Sequence, residues 1–147
     1  MYIDFVCAMI LVHLEYKEGK NLNTKSMVLI ISPPGNLQIG LQALLNTRLD
    51  VDVLVVGDRS SAMKVIERQN PALIILDQDI SDDTVALLTR DINSNWSEIP
   101  CIVLVNDDQP CQNIIDRESN YIVTKGLPGA KLIEKIKTIL NMQQERE

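Results

Sequence analysis

The sequence predicts a doubly wound α/β domain, a five-stranded parallel sheet with helices on both faces. Two observations carry this. Five short runs rich in Ile, Val and Leu recur at regular spacing with almost no polar alternation. Between them lie stretches whose apolar residues repeat at helical spacing, joined by short connections. Strands without alternation are buried on both faces, which implies a parallel sheet covered by helices. The 147 residues match one domain of ordinary size, long enough to bury a core unaided.

The first run is residues 27–31, MVLII, closed by Ser32, Pro33, Pro34 and Gly35. Leu37, Leu41, Leu44 and Leu45 then fall at i, i+4, i+7 and i+8, one face of a helix. Asn46, Thr47 and Arg48 read as turn residues before the second run, Val51 to Val56, which Gly57 closes. Ser60 and Ser61 read as helix-start residues, and Ala62, Val65, Ile66 and Gln69 form the next stripe, stopped by Pro71. The third run, ALIIL at 72–76, ends in Asp77, and Val85, Leu88 and Ile92 mark a helix beyond the polar stretch Gln78–Asp83. Trp96 falls in the loop before the fourth run, where packing against a helix is expected. That run is Cys101 to Val105 after Pro100, and a short, weakly patterned helix is expected around Cys111–Arg117. Tyr121 to Thr124 is the fifth run, ending at Lys125, and Leu132, Ile136, Ile139 and Leu140 give the clearest amphipathic helix.

The division this suggests is an extension and linker at 1–25, the domain at 26–142, and a polar tail at 143–147. Residues 1–14, MYIDFVCAMILVHL, are densely apolar but too short to span a membrane, and no basic region precedes them as in a secretory signal. They read as an added helix that packs on the domain or pairs two chains, or as upstream sequence with Met27 as a natural start. A membrane-surface anchor is disfavoured because no Lys/Arg face accompanies the apolar one. No output domain is expected after the last helix.

Composition removes several functions. With 14 Lys+Arg against 20 Asp+Glu the net charge is −6, and no basic cluster forms, which argues against direct nucleic-acid binding. Aromatics make up 3%, leaving the core to aliphatic side chains. Cys7, Cys101 and Cys111 lack metal-ligand spacing, and His13 is the single histidine, so a zinc site would be hard to assemble. A catalytic triad would have to run through His13, outside the βα pattern, so a non-enzymatic protein is expected. Three thiols in apolar surroundings point to a reducing compartment, the cytoplasm by default.

In an open parallel sheet the functional crevice lies beyond the carboxyl ends of the strands. The residues there are Ser32 and Pro33, Asp77, Val105 and Asn106, and Lys125. Asp77 and Lys125 would converge on one pocket; the plain alternative is an ordinary ion pair at two strand ends.

The stretch Pro71-Ala72-Leu73-Ile74-Ile75-Leu76-Asp77, the run CIVLV after Ile99-Pro100, and Lys125 together resemble a response-regulator receiver domain of two-component signalling, from Met27 to about Met142. The resemblance implies the flavodoxin-like receiver topology with strand order 2-1-3-4-5, a bacterial cytoplasmic signalling protein, Asp77 as phosphoacceptor and Lys125 as the family's lysine. It implies contact with a histidine kinase or a downstream effector through the face formed by the last helix, the strand before it and the stretch Gln109–Arg117; a homodimer stays open.

The departures from the family are specific. Its acidic pair after the first strand reads Ser32 and Pro33 here, and its hydroxyl residue after the fourth reads Val105, followed by Asn106. Its switch aromatic aligns with Ile122, or with Tyr121 after a one-residue shift, and Gly126 stands where a proline often follows the lysine. Carboxylates at the first-strand position hold Mg²⁺, which neutralises charge on the transferred phosphoryl. Without them Asp77 is expected to be phosphorylated poorly or not at all, with no metal cofactor. The alternative is a rearranged Mg²⁺ site using Asp77 with Asp79, Asp82 or Asp83, although Asp82 and Asp83 also suit the first turn of the next helix. A third reading, an anion- or flavin-binding domain using Ser32 to Asn36 as its loop, is weakened by two prolines without backbone donors and by the absence of glycine-rich phosphate motifs.

Overall fold

The computed structural model describes residues 25–107 and 120–146, with 143–146 as backbone only. The N-terminal extension through residue 24, with Cys7 and His13, and the helix expected around Cys111–Arg117 lie outside the described residues.

Five strands, β1 (Ser26–Ile31), β2 (Val51–Val56), β3 (Leu73–Asp77), β4 (Cys101–Val105) and β5 (Asn120–Thr124), form one sheet in the order β2-β1-β3-β4-β5. All four pairings are parallel, and the register sets Ile31 beside Val56 and Leu76, and Val105 beside Thr124. The helices are α1 (Asn36–Arg48), α2 (Arg59–Gln69), α3 (Asp82–Asn95) and α4 (Gly129–Arg146), with a 3₁₀ turn at Gln78–Ile80. Among the described residues no helix is long and apolar enough to cross a membrane.

Successive residues of a strand point to opposite faces, so each central strand feeds two cores at once. Val28, Ile30, Leu73, Ile75, Ile102 and Leu104 pack with Leu41 and Leu45 of α1 and Leu132, Ile136 and Ile139 of α4. Leu29, Ile31, Ile74, Leu76, Cys101, Val103 and Val105 pack with Ala62 and Ile66 of α2 and Val85, Leu88 and Ile92 of α3. Each fully buried Leu or Ile contributes about 1.5–3 kcal/mol of transfer free energy. Trp96 caps α3 and packs against the second layer.

Burial on both faces holds for β3 and β4 and for the last four residues of β1. It fails at the sheet edges, where one neighbour is missing. β2 alternates, leaving Leu54 37% exposed, and Ile122 of β5 is 59% exposed. Two helix boundaries also differ from the sequence reading. Asn46, Thr47 and Arg48 are the last turn of α1, and the Thr47 hydroxyl stays inside the helix by donating to the Ala43 carbonyl (2.6 Å). α4 runs through Arg146, taking in residues 143–146, because no Gly or Pro follows Gly129 to end it and Gln, Glu and Arg are good helix formers.

Helix starts follow local hydrogen bonding. Asp58 caps α2, its Oδ1 accepting from the Ser61 N–H (2.7 Å). Ser81 caps α3 through Oγ, which accepts from the Thr84 N–H (3.0 Å), and Asp82 and Asp83 occupy its first turn as the dipole favours.

Candidate functional site at the strand ends

Parallel pairing brings the carboxyl ends of β1, β3, β4 and β5 to one edge of the sheet, and five sequence-predicted residues, Ser32, Asp77, Asp79, Asn106 and Lys125, meet there. Asp77 is the last residue of β3 and only 2% exposed. Its Oδ1 accepts from the Lys125 ammonium (2.7 Å) and from the Asp79 backbone N–H (2.9 Å). Its Oδ2 accepts from the Ser32 hydroxyl (3.0 Å), directly after β1. That hydroxyl also lies 3.2 Å from the Pro33 carbonyl, but it has one proton, and the charged, nearer carboxylate is the stronger acceptor.

Asp79, in the 3₁₀ turn, faces the same place. Its Oδ2 accepts from Lys125 (2.9 Å) and its Oδ1 from the Asn106 side-chain amide (3.0 Å). Those bonds, Asn106 first and then Lys125, hold the Asp79 carboxyl below its ordinary value of 3.8. Burial by itself would lower the Lys125 ammonium, but hydrogen bonds and attraction from Asp77 and Asp79 outweigh it and raise the group above 10.5.

Asn106 does a second job. Its backbone N–H donates to the Gln78 side-chain carbonyl (2.7 Å), so the loops after β3 and β4 are joined by two bonds through one residue. The Lys125 N–H donates to the Val105 carbonyl (2.9 Å), fixing the base of the lysine stem. Gly126 allows close approach of Asp107; a Cβ there would lie 3.0 Å from Asp107 Oδ2.

Two predicted positions supply no side-chain chemistry. Val105 is 3% exposed and belongs to the apolar layer under α2 and α3. Pro33 has no donor, and the Ser32 N–H is used by the Val56 carbonyl (3.0 Å), which leaves the Ser32–Gly35 turn poor in free backbone donors. Asp82 and Asp83 are in the first turn of α3, with none of the site's bonds passing through them. The part played by Gln78 was not read from the sequence; it follows Asp77 directly and is buried in the structure.

No family model and no curated protein matches the sequence. Solved structures do. The signal receiver domain of a LuxO repressor protein from Vibrio parahaemolyticus superposes with a TM-score of 0.72 at 21% identity, covering 83% of this chain and 95% of that one. A CheY-like response regulator receiver domain protein from Methanospirillum hungatei gives 0.69 at 15% identity, covering 84% and 100%. The receiver domain of a sensor histidine kinase from Pseudomonas aeruginosa, with a magnesium ion coordinated in its active-site cleft, gives 0.70 at 20% identity, covering 80% and 99%.

The fold is that of a receiver domain. Within that receiver fold the expected strand order 2-1-3-4-5 is met. The residues at these strand ends do not fit a magnesium ion as they stand. Mg²⁺ needs oxygens free to turn their lone pairs on it in octahedral geometry. Asp77 Oδ1 already accepts from two donors, Ser32 is turned to give its proton to Asp77, Pro33 offers no side-chain ligand, and among the described residues no group of three or more acidic, histidine or cysteine side chains is placed to hold a metal.

Proposed function

We propose that this chain is an atypical receiver module of a signal-transduction system. It acts through protein–protein contact, and Asp77 is phosphorylated weakly or not at all. It catalyses no reaction of its own, and its partner is a signalling protein, a histidine kinase or a downstream effector. The single observation behind this reading is that Asp77 is held by three donors of the same chain while Ser32 and Pro33, directly after β1, bring no carboxylate to it. Attack of a carboxylate on phosphorus needs charge neutralisation around the transferred group. One lysine already spent on two carboxylates supplies little of it. The partner face includes β5 and α4, where Ile122 and Met142 are 59% and 43% exposed.

A second reading, a working phospho-switch with a rearranged metal site, draws support from Asp79, whose carboxylate does reach the Lys125 ammonium beside Asp77. One experiment separates the two. The intact chain is incubated with acetyl phosphate and Mg²⁺ and weighed by mass spectrometry. No gain of a phosphoryl group is expected. A gain that disappears in Asp77→Asn defeats the first reading and establishes the second.

A further inference from the structure

Gln78 stands directly after Asp77 and is 7% exposed, so a polar side chain has been taken out of water at the edge of the site. Its side-chain carbonyl accepts from the Asn106 backbone N–H at 2.7 Å, across 28 positions of sequence. Only the oxygen end of the amide can accept, so this bond also fixes which way the Gln78 amide faces. It joins the turn after β3 to the first residue of the loop after β4. A second link runs from the Asn106 side-chain amide to Asp79 Oδ1 at 3.0 Å, but the Asp79 side chain is 56% exposed and water competes for it. The buried link is therefore the stronger hold. Leaving a shielded carbonyl without its donor is costly, so the loop cannot lift away unless the Gln78 side chain is exposed as well. Neither partner is charged, and their attraction does not depend on the charge that Asp77 carries.

We propose that Gln78 is a latch that fixes the start of the loop after β4 to the turn after β3, so that the two move as one body whatever the state of Asp77. This rests on the reading of the chain as a receiver module that works by contact without phosphorylation, and it names the side chain that keeps part of the site in one shape. The latched loop is braced on its other side too. The Lys125 N–H donates to the Val105 carbonyl (2.9 Å), and Gly126 has no Cβ to push Asp107 away. A partner touching Asn106 or Asp107 would thus meet the same surface at all times.

The test is amide hydrogen exchange of the full chain, followed residue by residue by nuclear magnetic resonance. Each rate is taken relative to the Val103 amide in the middle of β4, a strand paired on both sides. In wild type the Asn106 amide is expected to exchange at least about tenfold more slowly than an unbonded loop amide. An Asn106 amide as fast as an unbonded one overturns the inference with no variant needed. Gln78→Met, which keeps the length of the side chain but has no carbonyl, is expected to speed that amide about tenfold against Val103. Asn106→Ala, which removes only the side-chain arm, is expected to leave the backbone amide at that position slow. The reverse pattern assigns the hold to Asp79 and overturns the inference; should Gln78→Met fail to fold, the wild-type and Asn106→Ala rates still decide. Asp77→Asn is expected to leave the Asn106 amide slow, and a rise of about tenfold there would mean that the loop follows the acid, which also overturns it. Each of these failures leaves the receiver reading standing, because that reading is decided separately by the phosphoryl mass measurement.

Discussion

At Asp77 a carboxylate almost without solvent is held by three donors, Lys125, Ser32 and the Asp79 N–H. Removing one partner of a buried ion pair leaves the other charge uncompensated, so Lys125→Met is expected to lower stability by about 3 kcal/mol in urea denaturation. Ser32→Ala, which strips one neutral donor from the same group, should lose about 1–2 kcal/mol. The pH dependence has two limbs. Asp79 is depressed, so its contribution is complete above the ordinary aspartate value of 3.8 and is lost as pH falls through its lower folded value. Lys125 is raised, so its contribution is complete below 10.5 and is lost as pH climbs through its higher folded value. Melting temperature against pH should therefore stay level between those limits as far as this network is concerned, and Asp79→Asn should weaken both limbs. The sequence made Asp77 and Lys125 legible because each closes an apolar run, and a strand end is a fixed place in the fold. It could not show that Asp79 reaches Lys125 or that Asn106 bridges two loops, since those depend on a 3₁₀ turn whose direction no periodicity encodes.

Elements carry their own tests. Gly40 lies inside α1, where an added Cβ would meet nothing within 4 Å. Gly40→Ala should raise stability by about 1 kcal/mol through helix propensity and a less flexible unfolded chain, and thermal melting checks it. Ser81 sits at φ 154°, a backbone region that suits glycine, while its side chain caps α3. A glycine cap is only a few tenths of a kcal/mol worse than serine, and strain of this kind costs about 1–3 kcal/mol. Ser81→Gly should therefore raise the melting temperature; a clear fall would show that the cap outweighs the strain. Strand positions were readable here because the apolar runs end at Ser-Pro, Gly, Asn or a charge. The exposure of Leu54 and Ile122 was not, because two edge strands carry the same Val- and Ile-rich composition as the centre and differ only in how many neighbours they have.

For the whole molecule, the two apolar layers share β1, β3 and β4 and are separated only by the thickness of the sheet. Leu29 faces one layer and Ile30 the other, and both are fully buried. Leu29→Ala and Ile30→Ala should each cost about 3 kcal/mol and each leave a single unfolding transition. Two separate transitions in either variant would mean that the layers unfold independently. The fold class followed from pattern alone, because five unbroken apolar runs with helices between them have few other arrangements. The order of the strands did not follow from pattern; that expectation came from the resemblance to receiver domains.

Cys101, the first residue of β4, lies with no solvent exposure between β3 and β5. A reagent can alkylate that sulfur only after the packing of β4 against β3, β5 and the layer under α2 and α3 opens. In a chain with Cys7 and Cys111 changed to serine, the rate of thiol labelling thus becomes a clock for the opening of this side of the sheet. It would rank Lys125, Ser32 and core variants by how often that packing comes apart in the native molecule, without any denaturant.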